Sequence, residues 1–198
     1  MIKNVVFDLG RVLVEFDPAA YLRSFGFSDE KVQTLLGVIF GEDWNLHDRG
    51  DYKTVDDLSA ALIKKYPSLK KDIETVLTGD WVKIHYLKTD TADYLFELKG
   101  RGYKIFILSN LSVESYEFIS KYPFFSLIDG GVFSYQENCC KPEAKIYKTL
   151  ISRYSLIPEE TVFIDDNKIN VEAAREFGIH SVLFTSLDEV RAEVENLF

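Results

Sequence analysis

The sequence predicts an α/β fold, with an open parallel sheet, helices on both faces, and an all-helical segment inserted after the first strand. Short β-branched and aromatic runs, typical of buried strands, alternate with helical patterns from about residue 89 onward. Such alternation indicates a parallel sheet covered by helices. Between residues 16 and 86 helical patterns recur without a convincing buried strand.

The expected core elements follow one another regularly. Residues 5–7 form the first strand, and Gly100 ends the first helix after the inserted segment. Later strands are expected at residues 103–108, 131–133, 162–164 and 181–184, and helices at residues 89–98, 112–121, 142–154, 169–177 and after 187.

The inserted segment has its own helix signals. Asp17 and Pro18 resemble an N-cap followed by proline at the first helical position. Helices are expected at residues 28–36, 54–66 and after 68, and Thr54 with Asp57 resembles a capping box. An insertion here lies above the carboxyl end of the first strand. We therefore expect a core domain from residues 1–15 and 87–198, and a helical cap domain from residues 16–86.

Composition narrows the class of protein. The chain has 198 residues, of which 46% are hydrophobic and 28% charged, as expected for one domain with a modest insertion. The net charge of -9 disfavours nucleic acid as a partner. No apolar stretch approaches the roughly 20 residues that span a membrane, and no signal peptide precedes the first strand. The adjacent Cys139 and Cys140 are poorly placed to pair, so we expect a reducing cytoplasm.

Acidic residues follow two of the predicted strands. Asp8 comes directly after residues 5–7, and Asp165 and Asp166 come directly after residues 162–164. Because ligands bind at the carboxyl ends of parallel strands, we expect these carboxylates to meet at one rim. They would repel one another unless a cation lay between them. The sequence therefore predicts a magnesium site formed by Asp8, the Gly10 carbonyl, Asp166 and Asp165, the last directly or through other ligands.

Donor groups follow at other points near the same rim. Ser109 and Asn110 end the strand at residues 103–108, and Lys141 precedes Pro142. Each fragment alone is typical of a turn or a solvated side chain. Together they suit phosphoryl transfer, in which Asp8 attacks phosphorus and donors surround the phosphoryl oxygens. Ser109, the backbone near Asn110 and the Lys141 ammonium are the candidate substrate-binding donors, and Lys141 would also shield Asp8 from the phosphate charge.

These fragments resemble the four ordered motifs of the haloacid dehalogenase superfamily, in its capped subfamily I. They are Phe7-Asp8-Leu9-Gly10-Arg11-Val12-Leu13-Val14, Leu108-Ser109-Asn110, Lys141-Pro142-Glu143 and Phe163-Ile164-Asp165-Asp166-Asn167, with Asn170 beyond. The phrase His47-Asp48-Arg49-Gly50 is similar to a bacterial branch that includes an α-D-glucose-1-phosphate phosphatase. The resemblance implies a Rossmann-like three-layer α/β/α core, a small α-helical cap and Mg²⁺-dependent hydrolysis of phosphate esters.

The first motif departs from the usual pattern of the superfamily at a position that serves proton transfer. Most phosphatases of this superfamily carry a second aspartate two places after the nucleophile as general acid and base, and here that position is Gly10. General acid–base catalysis is typically worth about 10² to 10⁴ in rate. The candidates that could supply the missing acid are Glu15, Asp17, His47 and Asp48.

The expected function is hydrolysis of a small phosphorylated metabolite, with a sugar phosphate as the expected substrate. Arg49, expected with His47 on a loop before Gly50, is a candidate phosphate or sugar contact, although a solvated structural role suits it equally well. One alternative is a 2-haloacid dehalogenase, which Asp165-Asp166-Asn167 and Gly10 disfavour, and another is a non-catalytic metabolite-binding protein. A monomer or homodimer is expected.

Overall fold

The computed structural model describes residues 1–198, and its strands are few and short. In chain order they are β1 (Asn4–Phe7), β2 (Val14–Phe16), β3 (His85–Leu87), β4 (Lys104–Ser109), β5 (Gly130–Phe133), β6 (Thr161–Asp165) and β7 (His180–Leu183).

The α-helices occupy most of the remaining chain. They are α1 (Pro18–Ser24), α2 (Asp29–Ile39), α3 (Glu42–Arg49), α4 (Val55–Lys65), α5 (Lys70–Leu77), α6 (Thr89–Gly100), α7 (Val113–Ile119), α8 (Ser134–Glu137), α9 (Ala144–Tyr154), α10 (Lys168–Arg175) and α11 (Leu187–Glu195). None of these helices combines the length and the hydropathy that a membrane-spanning segment needs.

Five strands form one parallel sheet in the order β5-β4-β1-β6-β7. The central strand β1 is buried along its whole length and pairs with β4 on one side and β6 on the other. Phe7 lies opposite Ile107 of β4 and Ile164 of β6. The residues that follow these pairs, including Asp8, Ser109 and Asp165, therefore come together at the carboxyl edge of the sheet.

Helices cover both faces of this sheet. Successive side chains of a strand point to opposite faces, and in β1 Val5 and Phe7 join one apolar cluster while Val6 joins another. The first cluster takes side chains from α6, α7 and α11, and the second from α9 and α10. The predicted α/β fold with a three-layer core is confirmed.

Between β2 and β3, helices α1 to α5 pack around a third apolar cluster that includes Leu22, Leu58 and Trp81. We call this segment, residues 17–84, the helical insert. Asp17 accepts a hydrogen bond from the backbone of Ala20, and Pro18 is the first helical residue. Thr54 and Asp57 form the predicted capping box. These helix starts are as expected.

Two features of this region differ from expectation. First, β2 and β3 pair antiparallel at the base of the insert, with Val14 opposite Leu87. Second, the prediction that His47 and Arg49 lie on a loop is wrong, because both belong to α3. That helix ends at Gly50, whose left-handed conformation (φ 84°) suits glycine.

Candidate active site

A cavity of about 320 Å³ opens at the carboxyl edge of the sheet and is lined by both the core and the helical insert. From the core come the residues that the sequence analysis places near phosphorus: Asp8, Gly10, Ser109, Asn110, Lys141 and Asp166. From the insert and the strands at its base come mainly aromatic and polar side chains: Phe16, Phe40, Trp44, Asn45, Asp48 and His85. The predicted strand-end residues therefore share one space.

Asp8 follows β1 and presents one of its two carboxylate oxygens to the protein. Its Oδ1 accepts a hydrogen bond from the backbone N–H of Leu9 at 2.7 Å and lies 2.8 Å from Lys141 Nζ. Its Oδ2 has no hydrogen-bond partner within the protein. The pKa of Asp8 is raised to about 7, because burial and the neighbouring Asp165 raise it by more than Lys141 lowers it. One buried oxygen thus remains available for chemistry.

Lys141 is 5% exposed and is held by three acceptors. Its Nζ lies 2.8 Å from Asp8, and it donates to Asp165 Oδ2 at 2.7 Å and to the Leu108 carbonyl at 2.9 Å. Burial lowers the pKa of Lys141, but the carboxylates of Asp165 and Asp8 outweigh burial and raise it above its usual range. The side chain is therefore a fixed positive charge beside Asp8.

Asn110 anchors the loop that carries Lys141. Its side-chain Nδ2 donates to the Lys141 carbonyl at 3.0 Å, and its Oδ1 accepts from the Lys141 N–H at 2.8 Å. Both ends of the amide are thus engaged with the backbone of Lys141, although Asn110 lines the cavity.

Asp165, at the end of β6, is completely buried and has both carboxylate oxygens engaged. Its Oδ1 accepts from the Asn167 N–H at 2.8 Å and from the Asn170 amide at 3.1 Å, and its Oδ2 accepts from Lys141. Asp165 does not line the cavity. The geometry suits a residue that positions Lys141 better than a direct metal ligand.

Asp166 is the next residue after Asp165 and, unlike Asp165, lines the cavity. Its nearest charged partner is Arg11, 3.7 Å away and largely exposed. Burial raises the pKa of Asp166, and Asp165 raises it further. One oxygen from each of Asp8, Asp165 and Asp166 lies within 4.8 Å of the others. The carboxylates of Asp8 and Asp166 offer the oxygen ligands that a hard divalent cation such as Mg²⁺ prefers.

Gly10 lines the cavity two residues after Asp8. A Cβ atom built at this position would meet no other atom within 4 Å. Neither crowding nor backbone conformation therefore demands glycine here, and the absence of a second carboxylate is a chemical difference.

Asp48, on α3 of the insert, lines the same cavity. The pKa of Asp48 is raised to about 7, because burial raises it by more than His47, Ser112 and Trp44 lower it. The hydroxyl of Ser134 donates to the Asp48 carbonyl at 2.5 Å, which ties α3 to the core. Of the four candidate acids, Asp48 is the one that the structure brings to the cavity.

The other three acid candidates have different surroundings. Asp17 caps α1, and Glu15 lies 4.0 Å from Lys88. His47 is buried with its Nε2 3.2 Å from Glu114 of α7, and Glu114 also accepts from the backbone N–H of Val55. The contacts of Glu114 with His47 and Val55 join the insert to the core. None of the side chains of Glu15, Asp17 and His47 lines the cavity.

Arg49 is also absent from the cavity. Its guanidinium is paired with Asp51, with Nε 2.6 Å from Oδ2. Its role in substrate binding stays a prediction, which this geometry does not favour. Conversely, Arg11 lines the cavity although no role was predicted for it, and its place within the first motif is the signal that could have indicated one.

Comparison with known proteins identifies the family. The model of the haloacid dehalogenase-like hydrolases matches residues 2–178, so the chain belongs to that family and is a hydrolase. The predicted superfamily resemblance is confirmed, while the narrower resemblance to the glucose-1-phosphate phosphatase branch stays a prediction.

Two relatives cover at least 91% of this chain. The D-ribitol-5-phosphate phosphatase of Bacteroides thetaiotaomicron is 28% identical over 200 residues, with 91% of each chain covered. Drimenol cyclase drtB of Aspergillus calidoustus is 29% identical over 204 residues, and the chain spans 37% of its length. A crystal structure of a haloacid dehalogenase family enzyme from B. thetaiotaomicron, in complex with magnesium and inorganic phosphate, matches with a TM-score of 0.72 at 24% identity, covering 96% of this chain and 99% of that one. That likeness confirms the fold.

Proposed function

We propose that this hydrolase is a Mg²⁺-dependent phosphatase that acts on a small phosphorylated metabolite through an aspartyl-phosphate intermediate. The observation that carries the proposal is the arrangement of two carboxylates. Asp8 is buried and lies 2.8 Å from Lys141, and one of its oxygens lies within 4.8 Å of an oxygen of Asp166, which faces the cavity. Full-length similarity to a phosphatase of ribitol 5-phosphate, and a fold shared with an enzyme bound to magnesium and phosphate, support it.

In the first step a carboxylate oxygen of Asp8 attacks phosphorus, and the bond from phosphorus to the ester oxygen breaks. The alcohol leaves with a proton, and the phosphoryl group stays on Asp8. Water then attacks phosphorus, releasing inorganic phosphate and restoring the carboxylate. Lys141 supplies fixed positive charge, while Ser109 and the backbone near Asn110 donate to the phosphoryl oxygens.

The metal would be held by Asp8, the Gly10 carbonyl and Asp166. When bound, it neutralises the carboxylates and the negative charge of the transferring phosphoryl group. We assign Asp165 to positioning Lys141, because its own oxygens are already engaged.

We assign the proton needed by the leaving alcohol to Asp48. The cavity has no carboxyl at Gly10, and Asp48 reaches the same cavity from α3. A carboxyl group whose pKa is near 7 can be protonated at neutral pH and suits a general acid. Residues 16–86, which contain the helical insert, would then act as a cap that supplies a reactive group, and residues 1–15 and 87–198 would form the core.

The alternatives make different demands on the site. A 2-haloacid dehalogenase needs the Asp8 nucleophile but no metal, and it leaves the open carboxylate of Asp166 without a role. A non-catalytic binding protein is favoured only by Gly10, and Asp48 weakens that argument. A cytoplasmic location, a monomeric or homodimeric state and a sugar phosphate substrate stay predictions.

The test is phosphate release from a panel of small phosphate esters, measured with Mg²⁺ and then with excess EDTA. We expect release that requires the metal. Release that persists in EDTA, or no release from any ester alongside halide release from 2-halo acids, would contradict the proposal.

A further inference from the structure

Two kinds of side chain line the cavity. Asp8, Lys141 and Asp166, from the core, make one part of the lining polar. Phe16, Phe40 and Trp44, from β2 and the helical insert, make another part aromatic. We call these three side chains the aromatic wall. A phosphate ester bound with its phosphorus at Asp8 shares the cavity with these rings, so its alcohol portion can pack against hydrocarbon.

The aromatic wall is a packed unit. The ring centroids of Phe40 and Trp44 lie 4.7 Å apart, and that of Phe16 lies 6.2 Å from Phe40 and 6.1 Å from Trp44. Phe16 and Phe40 are half-buried, so each retains surface that a ligand could cover. Rings that already support one another lose little conformational freedom when a ligand binds.

The surroundings of the wall extend its apolar character. Val14, Leu111 and Ile119 line the same cavity. His85 stacks on Phe16 with centroids 5.2 Å apart, and its Nε2 lies 3.0 Å from the Ser115 hydroxyl. Burial lowers the pKa of His85 to about 4, so the ring is neutral at pH 7. It therefore presents an aromatic face instead of a charge.

Most polar groups that line the cavity outside the proposed phosphate and metal residues are already engaged. Arg11 lies 3.7 Å from Asp166, and His85 lies 3.0 Å from the Ser115 hydroxyl. Asp48 is the proposed acid, and Asn45 remains for an alcohol hydroxyl. A sugar or polyol carries several hydroxyls, and each one transferred from water without a partner reduces affinity. For a hydrocarbon group, in contrast, burial of apolar surface makes the free energy of binding more favourable.

Resting on the proposed phosphatase function, we propose that the substrate is the phosphate monoester of a small apolar alcohol, in place of the sugar phosphate expected from the sequence. Its hydrocarbon group packs against Phe16, Phe40 and Trp44. The cavity of about 320 Å³ is at the lower end of the range for small-molecule sites, which limits the alcohol to a short alkyl, prenyl or aryl group.

The test uses pairs of esters with the same carbon skeleton that differ in hydroxyl groups. Suitable pairs are propyl phosphate with glycerol 3-phosphate, and pentyl phosphate with ribitol 5-phosphate. Differences of one small group in an apolar pocket are worth about tenfold or more in kcat/KM. We expect the apolar member of each pair to have a kcat/KM at least about tenfold higher. Equal values, or a preference for the polyol esters, would overturn the inference.

Substitutions in the aromatic wall test whether these side chains cause the preference for apolar esters. We expect Phe40→Ala to lower kcat/KM for pentyl phosphate by about tenfold while leaving that for ribitol 5-phosphate within about twofold, and Phe40→Leu to restore most of the loss. Inhibition by inorganic phosphate should stay unchanged. Phe96→Ala is the matched control, because Phe96 is 39% exposed on α6 and does not line the cavity. Equal losses for both esters in Phe40→Ala would contradict a role in recognition of the alcohol.

The failure of this inference differs from failure of the proposed function. Mg²⁺-dependent release that favours polyol esters overturns the apolar substrate alone. No Mg²⁺-dependent release from either series overturns both.

Discussion

The ammonium nitrogen of Lys141 lies 2.8 Å from a carboxylate oxygen of Asp8, and both side chains are buried. Asp165 lies 2.7 Å from the same nitrogen on its other side. One positive charge is therefore shared by two carboxylates, and the third carboxylate, Asp166, is left for a cation. This balance of charges is the basis of the following predictions.

Replacing Lys141 with methionine should abolish most activity and reduce stability. The change leaves Asp8 and Asp165 buried without their cation, and breaking a buried ion pair typically costs about 3–5 kcal/mol. Chemical denaturation and phosphate release would measure both effects. Lys168→Met is the control, because Lys168 is largely exposed and 3.6 Å from Glu172, and we expect a change below about 1 kcal/mol. Comparable stability of the two variants would contradict the assigned role of Lys141.

Asp165→Asn and Asp166→Asn should differ in their response to metal. Asp166 faces the cavity, so Asp166→Asn should raise the Mg²⁺ concentration needed for half-maximal activity. Asp165 is engaged with Lys141 and Asn170, so Asp165→Asn should mainly lower the unfolding free energy and the maximal rate. A magnesium titration of phosphate release separates the two outcomes. A larger shift in Mg²⁺ requirement for Asp165→Asn would show that Asp165 is the direct ligand.

Asp48→Asn should slow hydrolysis in a way that depends on the leaving group. An alkyl phosphate needs a proton on its departing oxygen, so kcat should fall by about 10² or more. The 4-nitrophenyl ester, whose leaving group is stable as an anion, should be little affected. For the wild type, kcat for the alkyl ester should fall as pH rises above about 7, because the acid loses its proton, and Asp48→Asn should lack that decline. Equal losses for the two esters would refute proton donation.

The raised pKa of Asp48 should also make the stability of the folded protein depend on pH. The folded-state pKa of Asp48 is raised from its ordinary value of 3.8 to about 7. The folded protein thus binds more protons, and the unfolding free energy should decrease as pH rises between these values. Denaturation of wild type and Asp48→Asn across this range measures the difference.

Adding Gly10→Asp to Asp48→Asn should restore part of the alkyl phosphate activity, because the space beside Gly10 is open.

Gly50→Ala should destabilise the fold and disturb Asp48. Gly50 has a φ of +84°, and a Cβ atom there would lie 2.8 Å from the Tyr135 carbonyl oxygen. Alanine in this conformation costs more than about 1 kcal/mol. Gly37→Ala is the control, since Gly37 lies within α2 with open space around it, and alanine should stabilise that helix by up to about 1 kcal/mol. Thermal unfolding measures both, and a Gly50→Ala protein as stable as wild type would contradict this view of the α3 end.

The core could be predicted from sequence because its strands are continuous apolar runs. Residues such as Val5, Val6 and Phe7 are buried on both sheet faces and carry no competing signal. The pairing of β2 with β3 could not, since three-residue strands are too short to show a period. Helix α3 also escaped prediction, because its sequence is mostly polar and its N-cap, Gly41, provides no side-chain hydrogen bond.

The sequence predicted which short segments lie near the site, but not which of two adjacent residues in a segment faces the cavity. Asp165 and Asp166 are adjacent at a strand end, and because side chains alternate there, one faces Lys141 and the other the cavity. Asp48 and Arg49 are adjacent on α3, about 100° apart around the helix. Which of them faces the cavity depends on how α3 is rotated. That rotation follows from the burial of Trp44, a tertiary contact that no local pattern reveals.

The most direct measurement is the rate of phosphate release by Asp8→Asn, with Mg²⁺ and 4-nitrophenyl phosphate, beside the wild type. Asparagine preserves the shape of the side chain but cannot form the aspartyl-phosphate. Thermal unfolding would establish that the variant is folded. We expect a loss of at least about a thousandfold, as for removal of a covalent nucleophile. A folded Asp8→Asn protein within about tenfold of the wild-type rate would contradict catalysis through Asp8.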